Sequence, residues 1–212
     1  MKYQIIPVTP FQQNCTLLWC EETKHAAIVD PGGESALLIH AITTLGLTLE
    51  KVLLTHGHLD HVGAAKAIAD HYDVPIIGPH KDDAFLLESL SEQSARFGLE
   101  HCEPFTPDRW LEEGNNVTFG HETLLVRHTP GHTPGHVIFF SDAARLASVG
   151  DVLFAGGIGR TDFPRGNYAD IIRSIREKLW PLGNDVQFIS GHGAMSTFGA
   201  ERISNPFVAD KA

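Results

Sequence analysis

Four side chains of the kinds that bind metal ions stand in one short run of this sequence. They are His56, His58, Asp60 and His61. An apolar segment, residues 52–54, precedes the run, and an alanine-rich segment with helical spacing, residues 63–72, follows it. Side chains two residues apart in an extended segment point the same way, so His56 and His58 can hold one ion. Asp60 and His61 lie where the chain turns into the helix and face in a different direction from His56 and His58. The run could therefore hold two ions, or one ion with a spare site. The alternative, a helix cap at Asp60 beside surface histidines, is disfavoured because spacing, residue type and context agree.

Three further candidates follow predicted strands later in the chain, each in a turn that contains glycine. His132 closes the first copy of a repeated Thr-Pro-Gly-His unit at residues 129–136, Asp151 follows Gly150, and His192 stands between two glycines. The C-terminal ends of strands are where α/β sheets place their sites, so we expect these side chains to meet the first four.

Together the candidates make two sets of three ligands and one shared carboxylate. They are His56, His58, Asp60, His61, His132, Asp151 and His192. The two oxygens of a carboxylate can bridge two ions. Two ions about 3.5–4 Å apart can share a hydroxide that is available near neutral pH, and they can also hold a developing oxyanion. The chemistry indicated is hydrolysis of an activated carbonyl or phosphoryl group.

The composition is that of an ordinary globular protein and narrows the choice of partners. Hydrophobic residues make up 42% of the 212 residues, charged residues 20%, and the net charge is −10. We find no cluster of lysine and arginine, so nucleic acid is not expected as a partner. No apolar run reaches the ~18 residues that a membrane-spanning helix needs. Thirteen histidines in an acidic chain favour metal ligation.

The cysteines and the first residues indicate the compartment. Cys15, Cys20 and Cys102 are odd in number and lack the C-x-x-C spacing. We therefore expect neither a disulfide framework nor a zinc ribbon. Reduced thiols, together with an N-terminus that has no apolar run and no cleavage site, predict a cytoplasmic protein.

Strand and helix patterns alternate along the chain without a linker, which predicts one α/β domain, residues 1–212. Predicted strands are 3–8, 15–20, 26–29, 51–54, 74–77, 117–119, 122–128, 137–140, 145–149 and 186–189. Predicted helices are 34–45, 64–72, 81–90, 168–180 and a short last helix after Ser196-Thr197, either of which can cap it. Residues 91–110 are predicted to form a surface loop or short helix, and residues 152–167 an ordered loop beside the site.

The complete set of motifs resembles the metallo-β-lactamase superfamily. The motifs are His-x-His-x-Asp-His at 56–61, the Pro-Gly-His that ends at His132, Gly150-Asp151 and Gly191-His192-Gly193. The resemblance implies an αββα sandwich, two mixed sheets flanked by helices, with the metals at one edge. It also implies that the first ion is held by His56, His58 and His132, the second by Asp60, His61 and His192, with Asp151 bridging them. His136 is expected to be a packed or hydrogen-bonded neighbour.

Within the superfamily, the motifs are similar to those of glyoxalase II-type thioesterases. The implied function is hydrolysis of a hydroxyacyl-thioester such as S-lactoylglutathione, with a hydroxide shared by two metals as nucleophile and with Asp60 and Asp151 as catalytic carboxylates. True metallo-β-lactamases usually place a different residue, often Cys, among the second-site ligands, so a β-lactamase is not expected. Two departures concern substrate binding: the sequence stops at residue 212, without the family's C-terminal helical domain, and Thr161-Asp162-Phe163 lacks the tyrosine that helps to bind glutathione.

Arg160 is the candidate substrate-binding residue in the loop after Asp151. It can bind a substrate carboxylate, since an arginine fork suits that group, or it can pair with Asp162 and stiffen the loop. Asp30, at the end of a strand before Pro-Gly, likewise has two interpretations: turn chemistry, or a supporting role beside the metals.

The alternative function is that of a persulfide dioxygenase with a single iron. Those relatives share the histidine run and a Gly-Arg-Thr-Asp-Phe loop like residues 159–163, but they generally lack a working second site, and His192 argues against them. Zinc is the favoured metal and iron or manganese are alternatives, because His/Asp sites accept all three. The sequence leaves the oligomeric state open.

Overall fold

The first of two sheets occupies the N-terminal part of the chain, in a computed structural model that describes residues 1–210. The order of the strands in the sheet is β1-β2-β3-β4-β5. The first three are antiparallel neighbours, and the last three run parallel. The strands are β1 (Lys2–Val8), β2 (Gln13–Trp19), β3 (His25–Val29), β4 (Thr48–Leu53) and β5 (Ile76–Ile77).

The second sheet comes from the C-terminal part and has the order β13-β12-β9-β8-β7-β6. Strands β12 and β9 are parallel, and the other neighbours are antiparallel, so this sheet is mixed as well. A separate two-stranded hairpin consists of β10 and β11. The strands are β6 (Asn116–Phe119), β7 (Glu122–His128), β8 (Val137–Ser141), β9 (Leu146–Gly150), β10 (Leu153–Phe154), β11 (Gly157–Ile158), β12 (Gln187–Ser190) and β13 (Ser196–Thr197).

The helices connect the strands and cover the outer faces of both sheets. None of those within residues 1–210 is long and apolar enough to cross a membrane. The helices are α1 (Ser35–Thr44), α2 (Leu59–Val62), α3 (Ala65–Tyr72), α4 (Ala84–Glu88), α5 (Leu90–Phe97), α6 (Tyr168–Ser174) and α7 (Phe198–Ser204).

Alternation of side chains along the strands produces three apolar layers. In β3, Ala26 and Ile28 face a layer shared with α1 and α3, whereas Ala27 and Val29 face the second sheet. In β8, Phe139 faces the first sheet, and its neighbours face a third layer shared with α6 and α7. Strands buried on both faces read as continuous apolar runs, as these do. The order helix, sheet, sheet, helix is the predicted αββα sandwich, which is confirmed.

The helices differ from the prediction in two places. Residues 81–90 do not form one helix, because the chain leaves helical geometry at Ser89 (φ −99°, ψ 12°). Helix α5 then begins at Leu90 and continues to Phe97, within the segment predicted as a loop or short helix. Helix 168–180 is α-helical only to Ser174, widens to a π-helix over Ile175–Leu179 and ends in a tight turn at Trp180–Leu182. Pro181 in that turn has no N–H to donate and cannot continue the helix.

Candidate metal centre

The sheet topology brings the predicted ligands together at one edge. Asp151 and His192 follow the parallel neighbours β9 and β12, so their turns meet. Residue 191, in the turn after β12, must be glycine, because a Cβ atom there would lie 2.1 Å from Asp151 Oδ1. His56 follows β4, and His132 stands in the turn between β7 and β8.

His56, His58 and His132 form the first ligand group. Each offers a nitrogen atom, and the three nitrogens lie within 4.8 Å of one another. His132 Nε2 is 3.0 Å from His58 Nδ1. All three rings are buried or nearly so, and their closeness gives three nitrogen lone pairs around one point.

Asp60, His61 and His192 form the second group, also with ligand atoms within 4.8 Å of one another. His192 Nε2 lies 3.3 Å from Asp60 Oδ2, and His61 Nε2 lies 3.9 Å from the same oxygen. Helix α2 begins within the histidine run, directly after His58, and carries Asp60 and His61.

Asp151 stands between the two groups. Its Oδ1 is 3.4 Å from His61 Nε2, and its Oδ2 is 3.6 Å from His132 Nε2 and 3.7 Å from His192 Nε2. One carboxylate is thus within reach of both groups.

Hydrogen bonds on the far side of four rings fix which nitrogen faces the cluster. His61 Nδ1 donates to Asp30 Oδ2 (2.9 Å), His132 Nδ1 to the Arg160 carbonyl (2.8 Å), and His192 Nδ1 to the Phe11 carbonyl (3.0 Å). His56 Nδ1 is 3.0 Å from the Thr55 hydroxyl, whose own proton goes to Asp30. With Nδ1 protonated, each ring presents the Nε2 lone pair to the cluster, which is the arrangement of metal-binding histidines.

The donor set fits a divalent cation. His56 Nε2, His61 Nε2 and Asp151 Oδ1 are buried and have no hydrogen-bond partner within residues 1–210. Leaving such atoms unpaired is costly, and metal ions held by the two groups would satisfy all three. Imidazole nitrogens and carboxylate oxygens suit zinc, iron and manganese, and do not by themselves choose among them.

The two groups differ in their charge when no metal is bound. Burial and the neighbouring imidazoles hold the pKa of His56 well below its usual value, and burial together with His132 lowers the pKa of His58 to about 3. Burial also lowers the pKa of His132. The first group therefore consists of neutral imidazoles, the form that binds metal.

The second group is charged in the absence of metal. Burial alone would lower the pKa of His61, but the carboxylates of Asp151, Asp60 and Asp30 outweigh it and raise this pKa to about 9. Burial opposes ionisation of Asp60, and the imidazoles of His61 and His192 still hold its pKa well below the usual range. A proton on His61 thus replaces part of the metal's charge.

This proton gives a testable pH dependence. The pKa of His61 is about 9 in the folded metal-free protein and about 6.5 in an unfolded chain. The stabilisation is therefore complete below about pH 6.5 and is lost as the pH rises toward 9. We expect the free energy of unfolding of chelator-treated protein to fall between these pH values. Urea denaturation at several pH values measures it. His61→Gln should reduce the slope, and the remainder comes from His192, whose pKa is also raised, against the effect of burial, by Asp60 and Asp151; an equal slope in the variant would contradict the assignment.

Asp30 has both of the roles considered from the sequence: it belongs to a turn, and it supports a metal-ligand candidate. Its φ of 50° belongs to the tight turn after β3. Its carboxylate accepts hydrogen bonds from the backbone N–H and the hydroxyl of Thr55 and from His61 Nδ1. The bond from Nδ1 leaves His61 Nε2 facing the cluster, so Asp30 orients this ring.

Asp83 was missed by sequence reasoning and joins the two loops that carry the first group. It is fully buried, and its Oδ2 accepts from Gly57 N–H (3.0 Å) and the Thr133 hydroxyl (2.7 Å). Its Oδ1 accepts from Gly135 N–H (2.6 Å). Its position between Asp82 and Ala84, inside a segment that reads as an ordinary helix start, gave no signal of this role.

His136 is a supporting residue, consistent with the expectation from the sequence. It is fully buried, stacks on His56 with ring centroids 4.8 Å apart, and its Nε2 accepts from Asp151 N–H (3.1 Å). It therefore holds Asp151 through the backbone.

A second group away from this site, His80, Asp82 and His128, also has ligand atoms within 4.8 Å of one another, but its two rings are parallel. His80 and His128 stack with ring centroids 4.2 Å apart and planes 17° apart. Lone pairs in nearly parallel planes do not converge on one ion, and His128 Nε2 already donates to the Pro134 carbonyl. Hydrogen bonding and stacking account for this pair.

A cleft of about 770 Å³ opens from the ligand cluster, and Arg160 lies along it. The guanidinium of Arg160 binds Asp162 through Nε (3.0 Å) and Nη2 (2.8 Å) and lies 4.5 Å from the centre of the Phe163 ring. Of the two sequence interpretations, the structure contains the Arg160–Asp162 pair. Both side chains are 68% exposed, so exchange of Asp162 for a substrate carboxylate remains sterically open.

Known proteins resemble this chain over its whole length. Hydroxyacylglutathione hydrolase GloC of Haemophilus influenzae is 53% identical, over 100% of both chains. The crystal structure of BLEG-1 B3 metallo-β-lactamase is 35% identical and superposes with a TM-score of 0.90, over 99% of this chain and 100% of that one. The structure of TTHA1623 in a di-iron-bound form is also 35% identical, with a TM-score of 0.88 over 97% and 100% of the two chains.

The family match spans the residues that build the site. Residues 8–192 match the metallo-β-lactamase superfamily, a range that begins at the end of β1 and closes on His192. Fold, His/Asp clusters and family match agree on a protein that binds divalent metal. The chain belongs to the metallo-β-lactamase superfamily.

Proposed function

We propose that this protein is a two-metal hydrolase of hydroxyacyl-thioesters, acting on S-lactoylglutathione or a related glutathione thioester. The observation that carries the proposal is the set of buried, unpaired donor atoms at the inner end of an open cleft. The similarity to the Haemophilus influenzae enzyme, whose name gives hydroxyacylglutathione as its substrate, supports the substrate class.

Both metal positions would use the groups described above. The first ion would be held by His56, His58 and His132, the second by Asp60, His61 and His192, and Asp151 would serve both. Zinc is our first choice, and iron is supported by the di-iron form of a structural relative. When bound, such ions make hydroxide available near neutral pH and stabilise the negative charge that develops on a carbonyl oxygen.

The chain's own groups give the reaction its geometry. Hydrogen bonds to Nδ1 atoms hold His61, His132 and His192 in place, so the ligand set is formed before substrate arrives. Phe163 packs against His58 and His132, with centroids at 4.9 and 5.6 Å, and closes one side of the site to water. A thiolate is a good leaving group, so its departure needs little general-acid assistance.

A substrate screen run together with elemental analysis tests the proposal. We expect about two metal ions per chain and hydrolysis of S-lactoylglutathione. One iron per chain with oxygen uptake on glutathione persulfide would instead support the dioxygenase alternative. A β-lactam should be included as a third substrate, because a β-lactamase is among the structural relatives; β-lactam hydrolysis without thioesterase activity would overturn the proposal.

A further inference from the structure

Helix α5 forms one wall of the cleft and is fixed to the metal-ligand run. Leu59 N–H donates to Gln93 Oε1 (3.0 Å), and Gln93, Arg96 and Phe97 all line the cleft. Residues three and four apart share one face of a helix. Arg96 and Phe97 therefore stand about one turn, ~5.4 Å, further along the wall than Gln93.

Aromatic contacts connect Arg96 to the metal-ligand cluster. The Arg96 guanidinium carbon lies 5.7 Å from the centre of the Phe97 ring, and Phe97 packs edge-on against Phe11 with centroids 6.2 Å apart. The carbonyl oxygen of Phe11 accepts the hydrogen bond from His192 Nδ1. Two aromatic residues, Phe97 and Phe11, thus lie between Arg96 on the cleft wall and His192 in the ligand cluster.

The two arginines of the cleft differ in their pairing. Arg160 is held by Asp162. Arg96 is exposed and makes no ion pair with a carboxylate in the part of the chain that the structure describes. A guanidinium that lies on an aromatic ring keeps its in-plane donors free, and this fork matches a carboxylate. Arg96 is therefore the cleft cation that can bind an anion without first losing a partner.

We infer that the outer part of the cleft is a carboxylate-binding subsite in which Arg96 binds the thiol half of the substrate. The inference rests on the proposed function, since a lactoyl group has no carboxylate whereas glutathione has one at each end. A net charge of −10 disfavours anionic substrates at long range, so a local cation beside the aromatic wall is needed to hold one. The aliphatic part of glutathione can then lie against Phe11 and Phe97.

The simpler role of Arg96 is stabilisation of helix α5. A cation in the last turn of a helix interacts favourably with the helix dipole. That role predicts a change in stability with no change in substrate binding, so kinetic constants separate the two.

Arg96→Ala tests the inference with two thioesters. We expect KM for S-lactoylglutathione to rise roughly tenfold, as for loss of one charge-assisted hydrogen bond, with kcat unchanged. KM for the lactoyl thioester of N-acetylcysteamine, which has no carboxylate, should stay the same. Arg96→Lys should recover part of the loss. Arg176→Ala, which removes an exposed arginine outside the cleft lining, should change neither substrate's constants.

The outcomes separate this inference from the proposed function. If both thioesters are hydrolysed and Arg96→Ala affects them equally or not at all, the subsite is wrong and the function stands. If the wild-type protein hydrolyses neither thioester, the proposed function has failed. Calorimetric titration with S-methylglutathione then decides the subsite alone: binding that Arg96→Ala weakens would support it, and equal binding or none by both proteins would refute it.

Discussion

An Asp151→Ala variant is expected to lose its metal and its hydrolase activity together. The Asp151 carboxylate lies 3.4 Å from His61 and within 3.7 Å of His132 and His192, so it is the group common to both ligand sets. Without it, His132 loses its carboxylate neighbour, and the second group keeps only the carboxylates of Asp60 and Asp30 beside its imidazoles. Bound metal ions of this kind would contribute several kcal/mol of transition-state stabilisation, so we expect activity to fall at least about 10³-fold.

Elemental analysis measures the metal content of the Asp151→Ala protein, and an assay of S-lactoylglutathione hydrolysis measures its activity. Asp70→Ala is the matched control, because Asp70 is an exposed carboxylate on α3 that pairs with Lys66 of the same helix. It should keep both metal and activity. An Asp151→Ala protein that retained full metal content and full activity would remove Asp151 from the site.

An Asp83→Ala variant is expected to lose about 3–5 kcal/mol of stability, because three buried donors lose their acceptor. The donors are Gly57 N–H, Gly135 N–H and the Thr133 hydroxyl, which lie in the loops that present the first ligand group. The two loops would no longer be tied together. We therefore also expect weaker metal binding, since supporting groups of this kind typically contribute about 10–100-fold in affinity.

Urea denaturation of metal-free protein separates the stability loss from the metal loss. Asp82→Ala is the control, since Asp82 is the adjacent carboxylate but is exposed and faces His80. It should unfold within about 0.5 kcal/mol of the wild-type protein, as surface substitutions usually do. Asp83→Asn keeps one acceptor oxygen and should fall between the two. Equal stability of the Asp83→Ala and Asp82→Ala proteins would show that Asp83 does not hold the loops.

The sequence alone supplied the metal-ligand candidates and the α/β class of the fold, and the resemblance of its motifs supplied the αββα layer order. The candidates and the class depend on local information: ligand types at spacings of one and two residues around His58, and apolar periodicity that separates strands from helices. The cap of the last helix was local too, although only the structure selected Thr197, which accepts from Ala200 N–H, over Ser196, which binds Glu201. Boundaries were less well predicted, because no strong stop signal stands at Ser89.

The tertiary structure alone decided which residues support and surround the site. Asp83 meets Thr133 and Gly135, Phe11 meets His192, and Gln93 meets Leu59 across 34 to 181 residues of sequence. Such contacts use backbone groups or ordinary polar side chains, which have no characteristic spacing. Pairing of charges is decided in the same way: Arg96 and Arg160 look equivalent as residues, but only Arg160 has Asp162 in reach, so the two arginines of the cleft differ in what they are free to bind.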